Sequence, residues 1–309
     1  MIQVSSIRKL ARLMGRGKSR VRLCLEVRPD GIAWCAMTSA ARVDAGFEAC
    51  SPAKREATLS QLVHNRGWGH AAAFFVLPLD QYQVHQVERP EGVNDDELAA
   101  ALKWKLKDFL DFSPADAVTD VFGFPEDAAR GRGALINLVA ARKSLVLELT
   151  GLATSAGIEP EQVDIAELAL AGIAGKLDEE ARGVALVHLR ERYGQMVICR
   201  GGTLYLSRRL DIAHDELRDA SSQENAVQTL ALELQRSLDY FESQLGQVPP
   251  AAIRLVSGDA SLPLASMLSG YVAGSVETLS CSSLGFKGDL DRRCLLAWAA
   301  MTRLLEAGS

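Results

Sequence analysis

Twice in this 309-residue chain, an apolar run, a tight polar turn and a second apolar run follow one another as a β-hairpin requires. The first hairpin is Val21–Val27 and Ile32–Met37, joined by Arg28-Pro29-Asp30-Gly31. Proline fixes the φ that a turn needs, and Asp-Gly tolerates its tightest positions. The second is Gly183–Leu189 and Gln195–Arg200, continuing through a Gly201-Gly202 turn into Thr203–Leu210. Helices and further strands follow each hairpin, so the chain reads as two similar mixed α/β halves. That pattern predicts two domains facing across a cleft, and the length agrees with two domains of about 150 residues each.

Between the hairpins, Ala57–His64 reads as a short helix, Ala71–Leu79 as a buried strand and Gln81–Glu88 as a further strand. Asn94–Leu110 reads as one helix. Asn94 and Glu97 outline a capping box, and Leu98, Leu102, Leu106, Phe109 and Leu110 share one face. Strands are expected at Ala117–Phe124 and Ala134–Ala141, then a helix over Lys143–Ala156 ended by Gly157. Glu161–Ile165 reads as a strand running into the helix Ala166–Leu177. After the second hairpin come an amphipathic helix over about Glu224–Leu245, a strand at Ile253–Val256, a helix after Leu262 and a closing helix at Cys294–Glu306.

Composition, at 48% hydrophobic and 24% charged, excludes a disordered or fibrous chain. The charge is unevenly spread. Residues 1–22 hold seven basic side chains and no acid, so the remaining 27 basic residues face 39 acidic ones, near −12. Ile7, Leu10, Leu13 and Met14 fall at helical spacing within this arm. It reads either as a helix lying on an anionic membrane surface through Arg8, Lys9, Arg12, Arg16 and Lys18, or as a solvated leader. Nucleic acid is not an expected partner, because the body is acidic and the arm lacks aromatics. No apolar run approaches the roughly 18 residues of a membrane span, and the basic, glycine-interrupted start lacks a signal-peptide core. Cys24, Cys35, Cys50, Cys199, Cys281 and Cys294 are scattered, without CxxC, and read as reduced, mostly buried thiols in a cytoplasmic protein.

Reactive motifs are scarce. Gly15-Arg16-Gly17-Lys18-Ser19 looks like the end of a phosphate-binding P-loop, but the required upstream glycine is Arg12 and no strand precedes it. His64, His70, His85, His188 and His214 lack HExxH spacing, and no GxSxG elbow occurs. No metal and no catalytic nucleophile is expected.

The middle of the chain carries a more specific signal. Val76-Leu77-Pro78, Glu97-Leu98-Ala99-Ala100-Ala101-Leu102-Lys103-Trp104, Asp111-Phe112-Ser113-Pro114 running to Asp120, and Leu232-Glu233-Leu234-Gln235-Arg236-Ser237-Leu238-Asp239-Tyr240-Phe241 form a connected series. Together these resemble the PilM group, actin-like cytoplasmic proteins of the type IV pilus assembly platform, and within it the branch serving MSHA pili. The resemblance covers nearly the whole chain after about residue 20. It implies an α/β, actin-like (RNase H-like) two-domain fold with an inserted subdomain in the first domain. The implied bounds are an arm at 1–20, a first domain at 21–182 plus 285–309 with the insertion at about 78–160, and a second domain at 183–284.

In that family ATP lies between the domains, held by two Asp-Ile-Gly hairpin turns and a Gly-Gly turn near the adenosine. Here the first turn reads Glu26-Val27-Arg28 followed by Pro29 and Asp30, and the second reads His188-Leu189-Arg190 followed by Glu191. The third reads Ser257-Gly258-Asp259. Proline removes a donor N–H, and added acids oppose a polyphosphate, whereas Arg28 and Arg190 could grip one. Glu233 and Arg236 match the family's interdomain helix, or form an ordinary surface pair.

The resemblance thus implies a pseudo-ATPase scaffold with no cofactor expected, ATP and Mg²⁺ being disfavoured. Its implied partner is the cytoplasmic tail of a PilN-like inner-membrane protein, with the pilus motor ATPase coupled indirectly. The tail is expected near Tyr82, Phe109 and Phe112, residues that serve equally well as core packing. The competing readings are an ATP-binding switch protein and the type II secretion subunit of similar fold. The latter continues into a membrane span and a periplasmic domain, which the length of this chain disfavours.

Overall fold

The computed structural model describes residues 21–38, 42–131, 133–178, 182–256, 262–279, 286 and 290–306. The chain divides into two compact units. One comprises the described residues of Met1–Phe124, Gly131–Ala166 and Cys294–Ser309, the other those of Pro125–Arg130 and Glu167–Arg293.

The first unit opens with strands β1 (Arg22–Arg28), β2 (Gly31–Met37) and β3 (Val43–Ala49), then helix α1 (Arg55–Arg66) and strand β4 (Ala72–Leu77). The inserted elements are β5 (Tyr82–Glu88), α2 (Asp95–Leu102), β6 (Ala117–Gly123), β7 (Leu135–Arg142) and α3 (Lys143–Ser155). Strand β8 (Glu159–Ile165) then rejoins the first sheet, whose order is β3-β2-β1-β4-β8. β1 pairs antiparallel with β2 and parallel with β4, as a hairpin and a crossover dictate. Every residue of β4 is buried, as a central strand covered on both faces should be. Gly157, where the sequence predicts the helix to end, follows α3 in the left-handed conformation at φ +76.

The inserted strands make a second, antiparallel sheet of order β5-β7-β6. One face is a core: Ile136, Leu138 and Ala140 of β7 and Val121 of β6 pack with Leu98, Ala99 and Leu102 of α2 and with Leu106. The Thr119 hydroxyl donates to the Ala99 carbonyl at 3.1 Å and ties β6 to α2.

The helix expected over Asn94–Leu110 is shorter than that. α2 ends at Leu102 and the chain tightens into a 3₁₀ segment, Lys103–Asp108. Leu106 is still fully buried, so the apolar spacing survives the change of pitch. Lys103 Nζ reaches the Ala117 carbonyl at 2.7 Å, pulling this turn onto the start of β6. The expected capping box is absent as well. Glu97 N and Leu98 N donate to the Asn94 backbone carbonyl, and the Asn94 side chain makes no cap bond.

The second unit contains α4 (Ala166–Leu177, from Glu167 onward), then β9 (Val184–Leu189), β10 (Gly194–Arg200) and β11 (Thr203–Leu210). It continues with α5 (His214–Arg218), α6 (Gln223–Ser243), β12 (Ala252–Val256), α7 (Leu264–Leu268) and β13 (Ser275–Thr278). Its sheet runs β11-β10-β9-β12-β13, with β9, β10 and β11 antiparallel and β12 parallel to β9 and β13. α6 buries Val227, Leu230, Leu234, Leu238 and Phe241, the stripe its sequence shows. α8 (Leu295–Glu306) returns to the first unit, against β1, β2 and β4.

β3, α5 and β13 were not anticipated. β3 is half-exposed along its length and interrupted by Asp44, Gly46 and Glu48, and the other two are short. Cys24, Cys35, Cys199 and Cys294 are buried and Cys50 is half-buried, all as free thiols, whereas Cys281 lies outside the described residues. Among the described residues, no helix is long and apolar enough to cross a membrane.

Candidate functional site

The first hairpin turn is built from its own charges. Glu26 is fully buried and Arg28 is 4% exposed. The Arg28 guanidinium lies 3.5 Å from Glu26 Oε1 and donates from Nε to Asp30 Oδ1 at 3.1 Å. Arg55 donates to the Arg28 carbonyl at 2.7 Å, and Cys50 N donates to the Asp30 carbonyl. Gly31 closes the turn under β3, where a Cβ would lie 2.3 Å from the Glu48 carbonyl oxygen. Such a turn fits a phosphate poorly. Pro29 has no N–H to offer, and two carboxylates share the one guanidinium.

The corresponding turn of the second unit follows β9. His188 is 5% exposed and stands opposite Gln195 of β10. Arg190 N donates to the Tyr193 carbonyl at 2.9 Å, and the Glu191 carbonyl accepts from His214 N at 3.0 Å. Tyr193 is buried here, with the Arg209 guanidinium 4.3 Å from its ring centroid and that of Arg190 at 5.8 Å. A buried ring with two guanidinium groups against it leaves little resemblance to a small, glycine-rich phosphate loop.

On α6, Arg236 pairs with Glu233 at 2.7 Å, the i,i+3 surface pair that the spacing allows. Ser257, Gly258, Asp259 and the arm residues Arg8, Lys9, Arg12, Arg16 and Lys18 lie outside the described residues. Among the described residues, no group of His, Cys, Asp or Glu is placed to hold a metal ion.

Geometry around the three expected partner-binding residues is different in character. Tyr82 begins β5, is 7% exposed and stands opposite Ala141 of β7. Phe112 is half-buried with the Arg142 guanidinium 4.2 Å above its ring, and Arg142 also pairs with Asp111 at 3.0 Å. Phe109 is 61% exposed and rests on the His85 ring at 5.2 Å. The fold therefore brings the Phe109–Ser113 turn to the Tyr82 end of β5. Arg142, which fastens the two, carries no sequence signal of its own.

Tyr82 also opens the second face of the small sheet. Register places Tyr82, Ala141 and Val118 in one row, Val84, Val139 and Asp120 in the next, and Gln86, Asn137 and Phe122 beyond. Residues directly opposite share a face, so this is one continuous surface. Beyond the Tyr82 and Ala141 row, Val84, Val139 and Phe122 alternate with Asp120, Gln86 and Asn137, all half-exposed except the exposed Gln86. α3 continues directly from β7 and touches β6, β7 and β8.

Asp120 lies in the middle of that surface. Its Oδ1 accepts from Val121 N at 2.8 Å, while its Oδ2 is shielded from solvent and has no hydrogen-bond partner among the described residues. Burial raises its pKa from 3.8 to about 6, only partly countered by the Val121 N–H. A carboxylate held this way has an acceptor position open to a cationic or N–H group. Nothing in the sequence around Asp120 marks it as a site residue.

No protein-family model and no curated protein sequence matches the chain. Solved structures do. A PilM-PilN type IV pilus biogenesis complex aligns with a TM-score of 0.69 at 18% identity, covering 93% of this chain and 98% of that one. The cytoplasmic domain of EpsL, an inner membrane component of the type II secretion system of Vibrio cholerae, aligns with a TM-score of 0.57 at 14% identity over 91% of this chain and 95% of that one. A Bacteroides thetaiotaomicron protein with an actin-like ATPase fold and unknown function gives 0.55 at 10% identity, over 91% of this chain and 99% of that one. The chain therefore has the actin-like ATPase fold.

Proposed function

We propose that this protein is a non-catalytic, actin-like scaffold of the inner-membrane assembly platform of a type IV pilus. In this reading it is cytoplasmic and peripheral to the membrane, and it receives the cytoplasmic tail of a PilN-like membrane protein. The likeness to the PilM-PilN complex over nearly the whole of both chains carries the proposal. The MSHA branch enters through the sequence resemblance alone. The tail's place is the surface that begins at Tyr82, flanked by the Phe109–Ser113 turn. A half-open sheet face that sets Val84, Val139 and Phe122 around a carboxylate oxygen lacking a hydrogen-bond partner among the described residues suits an extended segment that supplies apolar side chains and a donor.

Nucleotide has no part in this proposal. Pro29 offers no donor, and Arg28 is held by Glu26 and Asp30. Such a scaffold couples the platform to the motor ATPase by rigid contact.

The test is fluorescence anisotropy with a labelled peptide copying the cytoplasmic tail of a PilN-like protein. Saturable binding that Asp120→Asn weakens is the expected result, and absence of binding to the intact protein would remove the tail assignment. Calorimetry with Mg-ATP at matched salt addresses the competing switch reading. One-to-one heat would overturn the pseudo-ATPase assignment and make nucleotide state the working model. The EpsL likeness supports a second reading, a type II secretion component, which binding to an EpsL-partner peptide in place of the pilus tail would favour.

A further inference from the structure

The Lys103–Asp108 segment presents side chains that the small-sheet core does not use. Leu102 and Leu106 are 1% and 0% exposed and peg the segment down. Trp104 stands 67% exposed between them, with Lys105 and Lys107 exposed on either side of Leu106. In a 3₁₀ segment residues i and i+3 eclipse, so Trp104 and Lys107 lie one above the other on the outer side. Phe109, 61% exposed, continues the apolar rim. Three acids lie near it: Asp108 is exposed beside Lys105, Asp116 is exposed on the turn that Lys103 bonds, and Asp111 is engaged by Arg142 at 3.0 Å and Gln83 at 3.5 Å.

An isolated exposed apolar residue needs no explanation. An indole this exposed, with lysines before and after it, is a different arrangement. With two thirds of its surface open to solvent and exposed lysines beside it, it suits a broad partner able to accept both an indole and ammonium groups. The headgroup region of an anionic bilayer does both. Tryptophan settles at that depth with its ring in the acyl boundary and its N–H in water, and lysines reach outward to phosphate. We infer that the Lys103–Asp108 turn is a bilayer-contact surface, seating Trp104 at the headgroup level of an anionic membrane with Lys105 and Lys107 on lipid phosphates. Phe109 borders both this surface and the proposed tail surface, but Trp104, Lys105 and Lys107 belong to this one alone, and the inference does not depend on the pilus reading.

The chain supplies its own probe. Of its tryptophans, Trp34, Trp68 and Trp298 are 2%, 6% and 5% exposed, so solvent-dependent changes in indole emission report on Trp104. Full-length protein is mixed with vesicles of phosphatidylcholine alone, or with a third of the lipid replaced by phosphatidylglycerol. With the anionic vesicles, emission should move to shorter wavelength, bromine attached to the upper acyl chain should quench it, and iodide quenching from the water should fall. Trp104→Ala should abolish all three responses. Lys105→Gln combined with Lys107→Gln should weaken the anionic response about tenfold or more. Both are surface changes, so unchanged melting temperatures are expected alongside. Protein that pellets with anionic vesicles while its emission stays fixed would be held by the arm alone, overturning the inference. No pelleting at all would do the same. A spectral shift produced by an acidic polypeptide such as polyglutamate, and not by vesicles, would assign the surface to a protein partner and likewise overturn it.

Discussion

Asp120→Asn separates the cost of a buried charge from everything else around it. Burial raises the carboxyl from 3.8 to about 6, which at about 1.4 kcal/mol per tenfold in proton affinity bounds the effect near 3 kcal/mol. Asp120 is only half-buried, and solvent screening brings the expected figure to about 1–2 kcal/mol. The sign follows from linkage. An acid whose folded pKa lies above its unfolded one makes the folded state the tighter proton binder. The wild type therefore loses stability as pH rises from about 4 to about 6, and the loss is complete above that. Asparagine keeps the Oδ1 that accepts from Val121 N and carries no charge at any of these pH values. Its amide has its own burial cost, which does not vary with pH. The readout is therefore the difference in stability between variant and wild type, followed by urea or thermal unfolding from pH 4 to pH 8. That difference should rise in favour of the variant by about 1–2 kcal/mol, or about 2–6 °C in melting temperature, across pH 4–6 and then level off. A flat difference would show that the Asp120 carboxyl is adequately solvated, and its role as an acceptor on the tail surface would lose its physical basis.

Leu106→Ala leaves a hole in the small-sheet core and should cost about 2–5 kcal/mol, measured by urea unfolding, because the peg is fully buried. Gly31→Ala forces a Cβ against the Glu48 carbonyl oxygen and the Phe47 ring, at 2.3 Å and 2.6 Å, so the first hairpin must shift. A loss of about 1–3 kcal/mol is expected by thermal unfolding, comparable to overpacking. Arg236→Ala, by contrast, breaks an exposed pair and should change stability by no more than about 1 kcal/mol. A large loss of stability there would give the α6 pair a role beyond the surface contact described.

Some elements were plain in the sequence because their burial is two-sided. β2 and β4 are unbroken apolar runs, β1 and β9 are interrupted within by only Glu26 and His188, and the turn residues between the hairpin strands name their own geometry. β3 was missed for the opposite reason: an edge strand with one open side need not look apolar, and Val43–Ala49 does not. The overlong helix is instructive too. Spacing of Leu98, Leu102 and Leu106 satisfies an α-helix, yet a change to 3₁₀ pitch after Leu102 keeps Leu106 in the core, and apolar spacing alone does not distinguish the two. At the candidate site, the two hairpin turns were found by position, because a family pattern fixes where to look. Asp120 was not found as a site, because its meaning comes from register. Only the row it shares with Val139 and Val84 shows that the lone acid in Val118–Phe122 sits beside two valines on a half-open face.

The placement of the tryptophans has an optical consequence. All of them fall within the first unit, leaving Tyr193, Tyr205, Tyr240 and Tyr271 as the tyrosines of the second. Excitation at the red edge of protein absorption therefore illuminates one half of the molecule and leaves the other dark. Indole emission follows the melting of the first unit alone, whereas far-ultraviolet dichroism averages over both. Agreement of the two midpoints would mark a single cooperative block, and a gap between them would give the stability of each half from one unlabelled sample.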